Sequence, residues 1–168
     1  MTRAGRWSPT ARASRITEPV AGEIREILPP GTALAWRAIS ELRPAWDDEA
    51  AFVRQIDDVL RPGGYRLVGA FEDGTPHAVA AAGFRTGENL PWGRYLYVDD
   101  LSTLHAARGR GNAGALLAWL DEEAARQGCG EVHLDSGVQL ERRDAHSVYL
   151  GHGYAITSHH FARPVSGA

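Results

Sequence analysis

The stretch "DLSTLHAARGRGNAGALLAWL", residues 100–120, passes from an extended segment through three glycines and two arginines into a leucine-rich run. Glycine lets a backbone come close to a ligand, and the first amides of a helix point outward without partners. Gly109, Gly111 and Gly114, set directly ahead of Leu116, Leu117 and Leu120, therefore predict a site for an anion, with phosphate as the natural occupant. The leucines and Ala124 recur at three- and four-residue spacing, which predicts a helix from near Asn112 to the "GCG" at 128–130.

The bulk composition limits what surrounds that helix. A chain of 168 residues, 43% hydrophobic and 23% charged, is large enough to bury a core as one domain, expected over residues 16–168. Residues 1–15 carry Arg3, Arg6, Arg12 and Arg15 with no apolar run behind them, so they read as a flexible tail and not a signal peptide. A net charge of -3 provides no field for attracting nucleic acid. No 18-residue apolar window predicts a membrane span. A single cysteine, Cys129, excludes an internal disulfide and a cysteine-based zinc site, and reads as a small residue between glycines in a cytoplasmic protein. All 18 basic residues are arginine, which excludes a nucleotide-binding P-loop, since that loop needs a lysine after its last glycine. The composition leaves a homodimer open.

Outward from the glycine loop, hydrophobic periodicity predicts the other elements. A strand falls within residues 16–28. Residues 33–44 read as a helix with Ala35, Ile39 and Leu42 on one face and Pro44 closing it; residues 47–62 read as a second, with Phe52, Ile56 and Leu60 as its stripe. "GYRLVGAFEDG" (64–74) and "HAVAAAGFRT" (77–86) predict an antiparallel hairpin, and "RYLYVDDLSTL" (94–104) the central strand. "EVHLD" (131–135), "RRDAHSVYLGHG" (142–153) and "YAITSHHFA" (154–162) predict a short strand, a last helix and a final strand. This order gives a mixed α/β fold, one sheet covered by helices.

Two readings of the glycine loop compete. "GRGNAG" satisfies the dinucleotide pattern G-x-G-x-x-G, with Asp135 about 20 residues on as a ribose-binding acid. That pattern normally opens its fold directly after a strand. Here about 100 residues precede it and 33 follow Asp135, too few for a substrate domain. The flanks fit a different family. Arg108, Gly111 and Ala113 match the signature Arg/Gln-x-x-Gly-x-Gly/Ala, and "AHSVYLGHGY" (145–154) places Ala145, Tyr149, Gly153 and Tyr154 as in a helix and turn further on. On these residues the chain resembles the GNAT family of N-acetyltransferases over residues 30–163. His105 stands where the family often has proline, and Arg142 where it often has asparagine.

The resemblance implies a mostly antiparallel mixed sheet with helices on both faces, the acyl-CoA N-acyltransferase fold, and direct transfer of acetyl from acetyl-CoA to a primary amine on a small molecule or protein. It implies that the backbone of Arg108, Gly109, Arg110, Gly111, Asn112, Ala113 and Gly114 holds the pyrophosphate, with the two arginines adding charge. Pantetheine would follow Leu101, Ser102, Thr103 and Leu104, across from residues 132–135. Transfer requires a base for the amine and an acid for the departing thiolate. Tyr149 is the acid by family position. Asp99 and Asp100 are the candidate bases; strand alternation sends them to opposite faces, and Asp99, expected to share its face with Leu101 and Thr103, is favoured. The five histidines from His133 to His160, with Asp135, match no zinc spacing, so no metal is expected. Trp46, Trp92 and Tyr95 read as core or cleft wall, with "NLPWG" (89–93) a candidate for shaping the acceptor pocket. Other classes that stay open are a noncatalytic acyl-CoA sensor or partner-binding module on the same fold and an NAD-dependent oxidoreductase.

Overall fold

The computed structural model describes residues 22–165, so the expected tail over residues 1–15 lies outside the described residues. The chain runs β1 (Gly22–Ile27), α1 (Trp36–Leu42), α2 (Glu49–Arg54, continuing as a wider helical turn through Leu60), β2 (Arg66–Glu72), β3 (Ala80–Asn89), β4 (Gly93–Thr103), α3 (Asn112–Arg126), β5 (Glu131–Leu134) and α4 (Arg143–Gly151). The five strands form one sheet in the order β1-β2-β3-β4-β5. Each of the first four is antiparallel to its neighbours among them, and β5 runs parallel to its neighbour β4. A parallel neighbour needs a crossover, and α3 supplies it.

Each face of the sheet is covered by helices. Val68, Ala70, Ala80, Ala82, Phe84, Leu96 and Val98 meet Leu116, Leu117 and Leu120 of α3 and Tyr149 of α4. On the other face Leu67, Phe71 and Ala81 meet Ala35, Ala38, Ile39, Phe52 and Ile56. Burial on both faces explains why "AVAAAGF" in and before β3 is an unbroken apolar run with no polar alternation. Each fully buried leucine of α3 contributes roughly 1.5–3 kcal/mol relative to an exposed one.

One expected strand does not form. Residues 154–162 are irregular, and Ile156 and Phe161 are 79% and 89% exposed. A strand needs both a backbone partner and an apolar face to cover. Tyr154 is held at the end of α4 by the carbonyl of Tyr149 and packs on the core, while the residues after it meet neither condition.

Candidate active site

β4 is regular only in its first half. Phe84 of β3 pairs with Val98 and Gly83 pairs with Asp100, which leaves Asp99 as an extra residue in a β-bulge. The bulge overturns the expected alternation. Val98 and Leu101, three apart, both pack toward α3, and Asp99 and Asp100 between them both turn to the side that carries Tyr65 and Arg85. Asp99 therefore does not share the face of Leu101. A bulge re-aims side chains in this way, and bulges are common beside active sites.

The two aspartates are held differently. Asp100 receives the Nε of Arg43 at 2.7 Å and the hydroxyl of Tyr65 at 2.9 Å, so both of its oxygens have partners. Burial and then Asp100 itself push the Tyr65 phenol up, so it stays a donor. The Tyr65 ring lies over Gly83, where any Cβ would come within 1.7 Å of the hydroxyl oxygen; glycine is required there. Asp99 has one oxygen bound by Arg85 at 2.7 Å, and its other oxygen, Oδ2, is buried without a partner. Burial raises the Asp99 carboxyl above the usual carboxylate range, Arg85 opposes this, and Asp100 adds to it. A raised carboxylate with a free lone pair in a cleft is a candidate proton acceptor.

β4 and β5 pair only through Tyr95, Leu96, Tyr97 and Val98, opposite Glu131, Val132, His133 and Leu134. Residues 132–134 thus lie beside residues 96–98, and not across from the expected Leu101, Ser102, Thr103 and Leu104. Beyond Val98 the strands part and leave one edge of β4 open. Two cavities open along the parted edge. One, of about 230 Å³, is lined by Arg43, Val98, Asp99, Asp135, Gln139 and others. The second, of about 510 Å³, runs past Ser102 and Thr103 to Arg108, Gly109, Gly111, Asn112, Ala113 and Gly114. The two share Leu42, Leu101, Arg142 and Tyr149. Leu104 lines neither; its amide is taken by the carbonyl of Val79, and its side chain packs against both cores.

Around the phosphate loop, Gly109 and Gly111 have φ of 73° and 84°, the left-handed region that glycine adopts without strain. Gly111 caps α3 with no side chain on the free amides, which leaves them for a ligand. Arg108 lines the larger cavity and is paired loosely with Glu41, at 3.7 Å. Arg110 does not line it, because its guanidinium is bound to Glu72 at 2.8 Å and to the carbonyl of Ala106 at 2.8 Å. Tyr149 is 8% exposed. Burial raises its phenol, and Arg142 beside it pulls in the opposite direction.

In the sequence Arg142 stands out only as a departure from the family pattern, and Tyr65, Arg43, Arg85, Glu41 and Glu72 do not stand out at all. Their partners lie far along the chain, 57 positions for Arg43 with Asp100, so no local pattern announces them. His160 lies 3.1 Å from Asp135, which also accepts the Tyr97 hydroxyl at 2.5 Å, while His159 and His160 belong to the strand that does not form. Among the described residues no group of three or more His, Cys, Asp or Glu is placed to hold a metal. "NLPWG" turns out to be the β3–β4 hairpin, at the end of β4 opposite the cavities. Trp92 there stacks on His133 with ring centroids 3.9 Å apart and lines neither of the two cavities.

A family model described as the acetyltransferase (GNAT) family matches residues 32–154. The chain belongs to this family. It is 31% identical over 134 residues to the uncharacterized N-acetyltransferase YhdJ of Bacillus subtilis (strain 168), covering 79% of this chain and 91% of that protein. It is 35% identical over 66 residues to the aminoalkylphosphonate N-acetyltransferase of Salmonella typhimurium, covering 39% of this chain and 42% of the relative. Among solved structures, the aminoglycoside N-acetyltransferase AAC(6')-Iy in complex with CoA has a TM-score of 0.71 at 19% identity, covering 86% of this chain and 95% of that one. The five-stranded, mostly antiparallel sheet of this GNAT protein is accordingly the acyl-CoA N-acyltransferase fold.

Proposed function

We propose that this GNAT protein moves acetyl from acetyl-CoA to a primary amine by direct attack within a ternary complex. One observation carries the reading: the two cavities share Tyr149 in their lining, with the glycine loop along one and Asp99, whose Oδ2 is buried without a partner, along the other. The long cavity accommodates the cosubstrate, its phosphates at the amides of residues 108–114 and its pantetheine against the open edge of β4 at residues 101–103. The acceptor occupies the smaller one.

The chemistry then assigns a role to each group. The amine nitrogen forms a bond to the thioester carbon, and its proton passes to Asp99, directly or through water. A β4 amide on the parted edge steadies the oxygen as negative charge develops on it. The carbon–sulfur bond breaks, and Tyr149 gives its proton to the thiolate, while the Arg142 charge beside it favours the tyrosinate that results. An acyl-CoA sensor on the same fold has no use for a buried carboxylate oxygen without a partner, which favours catalysis.

Gly114 provides the test. A Cβ built there meets nothing within 4 Å, and the residue lines the long cavity. Gly114→Leu should fold with an unchanged melting temperature, because the new side chain enters the cavity and not the protein. Calorimetry with coenzyme A should show binding lost. Unchanged affinity would overturn the cosubstrate assignment, and a wild-type protein that binds acetyl-CoA but acetylates no member of a broad amine panel would point to the sensor.

A further inference from the structure

The phosphate loop is bordered by two carboxylates that the proposed chemistry does not use, and each is matched to one arginine of the loop. From α1, Glu41 accepts the amide of His105 at 2.9 Å and pairs with Arg108 at 3.7 Å. From the end of β2, Glu72 is bound far more closely. Its Oε2 receives Arg110 Nη1 at 2.8 Å and its Oε1 receives Asn112 Nδ2 at 3.0 Å. Arg110 also reaches back to the carbonyl of Ala106 at 2.8 Å, and the buried Asn112 to that of Ala107 at 3.3 Å.

A carboxylate close to an anion site is electrostatically unfavourable for the anion, so its presence needs a reason. We infer that Glu72 is a positioning residue for acyl-CoA binding, holding the loop from behind at Ala106, Arg110 and Asn112 so that its amides converge on the phosphates before the ligand arrives. The inference rests on the cosubstrate reading above. It assigns different work to the two arginines. Arg110 is a strut whose charge cancels that of Glu72, whereas Arg108 has only longer contacts, 3.7 Å to Glu41 and 3.3 Å from Nε to the Thr103 carbonyl, which it can give up to turn to a phosphate. A loop with two glycines at positive φ has many alternative conformations, and ordering it beforehand removes that entropy from the binding step.

The double mutant separates this from its rivals. With coenzyme A as the probe, Glu72→Ala and Arg110→Ala should each raise Kd about tenfold, the worth of one charge-assisted contact. Arg110→Ala should be the worse of the two, since it leaves Glu72 facing the phosphates uncompensated. The double variant should bind better than Arg110→Ala alone. For turnover, KM for the thioester should rise while kcat at saturation stays near wild type. In the ligand-free protein, hydrogen exchange at the amides of residues 106–114 should speed up in Glu72→Ala, a readout that holds even if the cosubstrate reading fails. Tighter binding in Glu72→Ala together with loss in Arg110→Ala would make Arg110 a phosphate ligand and overturn the inference. So would a lowered melting temperature with Kd and loop exchange unchanged, the mark of a purely structural contact.

Discussion

Glu123 on α3 and Asp99 on β4 each meet an arginine carried by the sheet, Arg66 for the first and Arg85 for the second. Their surroundings differ in how many partners answer the charge. Glu123, 4% exposed, accepts from Arg66, from Arg126 Nε at 2.8 Å and from Gln127 Nε2 at 2.9 Å. Arg66 in turn holds Glu26 through two bonds, at 2.7 and 2.8 Å, and lies over the Phe84 ring. Burial works to raise Glu123, but these donors outweigh it and bring the carboxyl below its ordinary value. Asp99, with one arginine and one empty oxygen, moves the other way, pushed up by burial. The contrast separates a carboxylate that stabilises the fold from one whose unmet demand is available for chemistry.

The largest expected effect is on the structural side. Glu123→Ala should destabilise the protein by about 3 kcal/mol, because it leaves Arg66 part-buried and only half matched, while turnover of the folded fraction stays near wild type. Chemical denaturation and steady-state kinetics on one preparation check both halves. A variant as stable as wild type would dissolve the comparison.

Asp99→Asn should reverse the pattern, lowering kcat/KM by about 10²-fold or more with no loss of stability. The sign follows from the raised folded value. The unfolded chain releases the Asp99 proton at lower pH than the folded one, so between the two values stability falls as pH rises, and the penalty persists at neutral pH. Asparagine removes that penalty. Glu123 behaves oppositely: its contribution is complete above the ordinary glutamate value and is lost as pH falls through the lowered folded one. Acid titration of wild type against Glu123→Ala should therefore show the two curves converging at low pH.

Tyr149→Phe should cost on the order of 10²-fold in kcat, with coenzyme A affinity retained, and a thioester with a better leaving group should restore part of the rate. Full turnover by this variant would remove the acid role. The smallest effect is expected at Asp100. Asp100→Asn keeps one acceptor oxygen and loses the charge opposite Arg43, so a stability cost of about 1 kcal/mol and an activity loss well below that of Asp99→Asn should follow. Equal kinetic effects at the two positions would mean that the bulge does not separate their roles.

The elements from β1 to α4 are legible in the chain because each rests on local causes. Leucines at helical spacing, an unbroken apolar run between turns, and prolines that stop helices act within a dozen residues. The glycine loop is legible for the same reason, since positive φ at Gly109 and Gly111 and a free helix start are properties of a few adjacent residues. The strand expected at residues 154–162 does not form, because pairing partners are supplied by the rest of the sheet.

The division of labour within the site was decided elsewhere. Asp99 and Asp100 are neighbours of the same type, and nothing in their order distinguishes them or shows that they share a face. The bulge opposite the Gly83 and Phe84 pair does that, and Arg43, Tyr65 and Arg85 then answer three of their four oxygens from separate elements. Likewise Arg108 and Arg110 read alike until β2 presents Glu72 to one of them. Backbone conformation is set by neighbours in sequence, whereas the charge state and freedom of a side chain are set by whatever tertiary packing brings within about 4 Å of it.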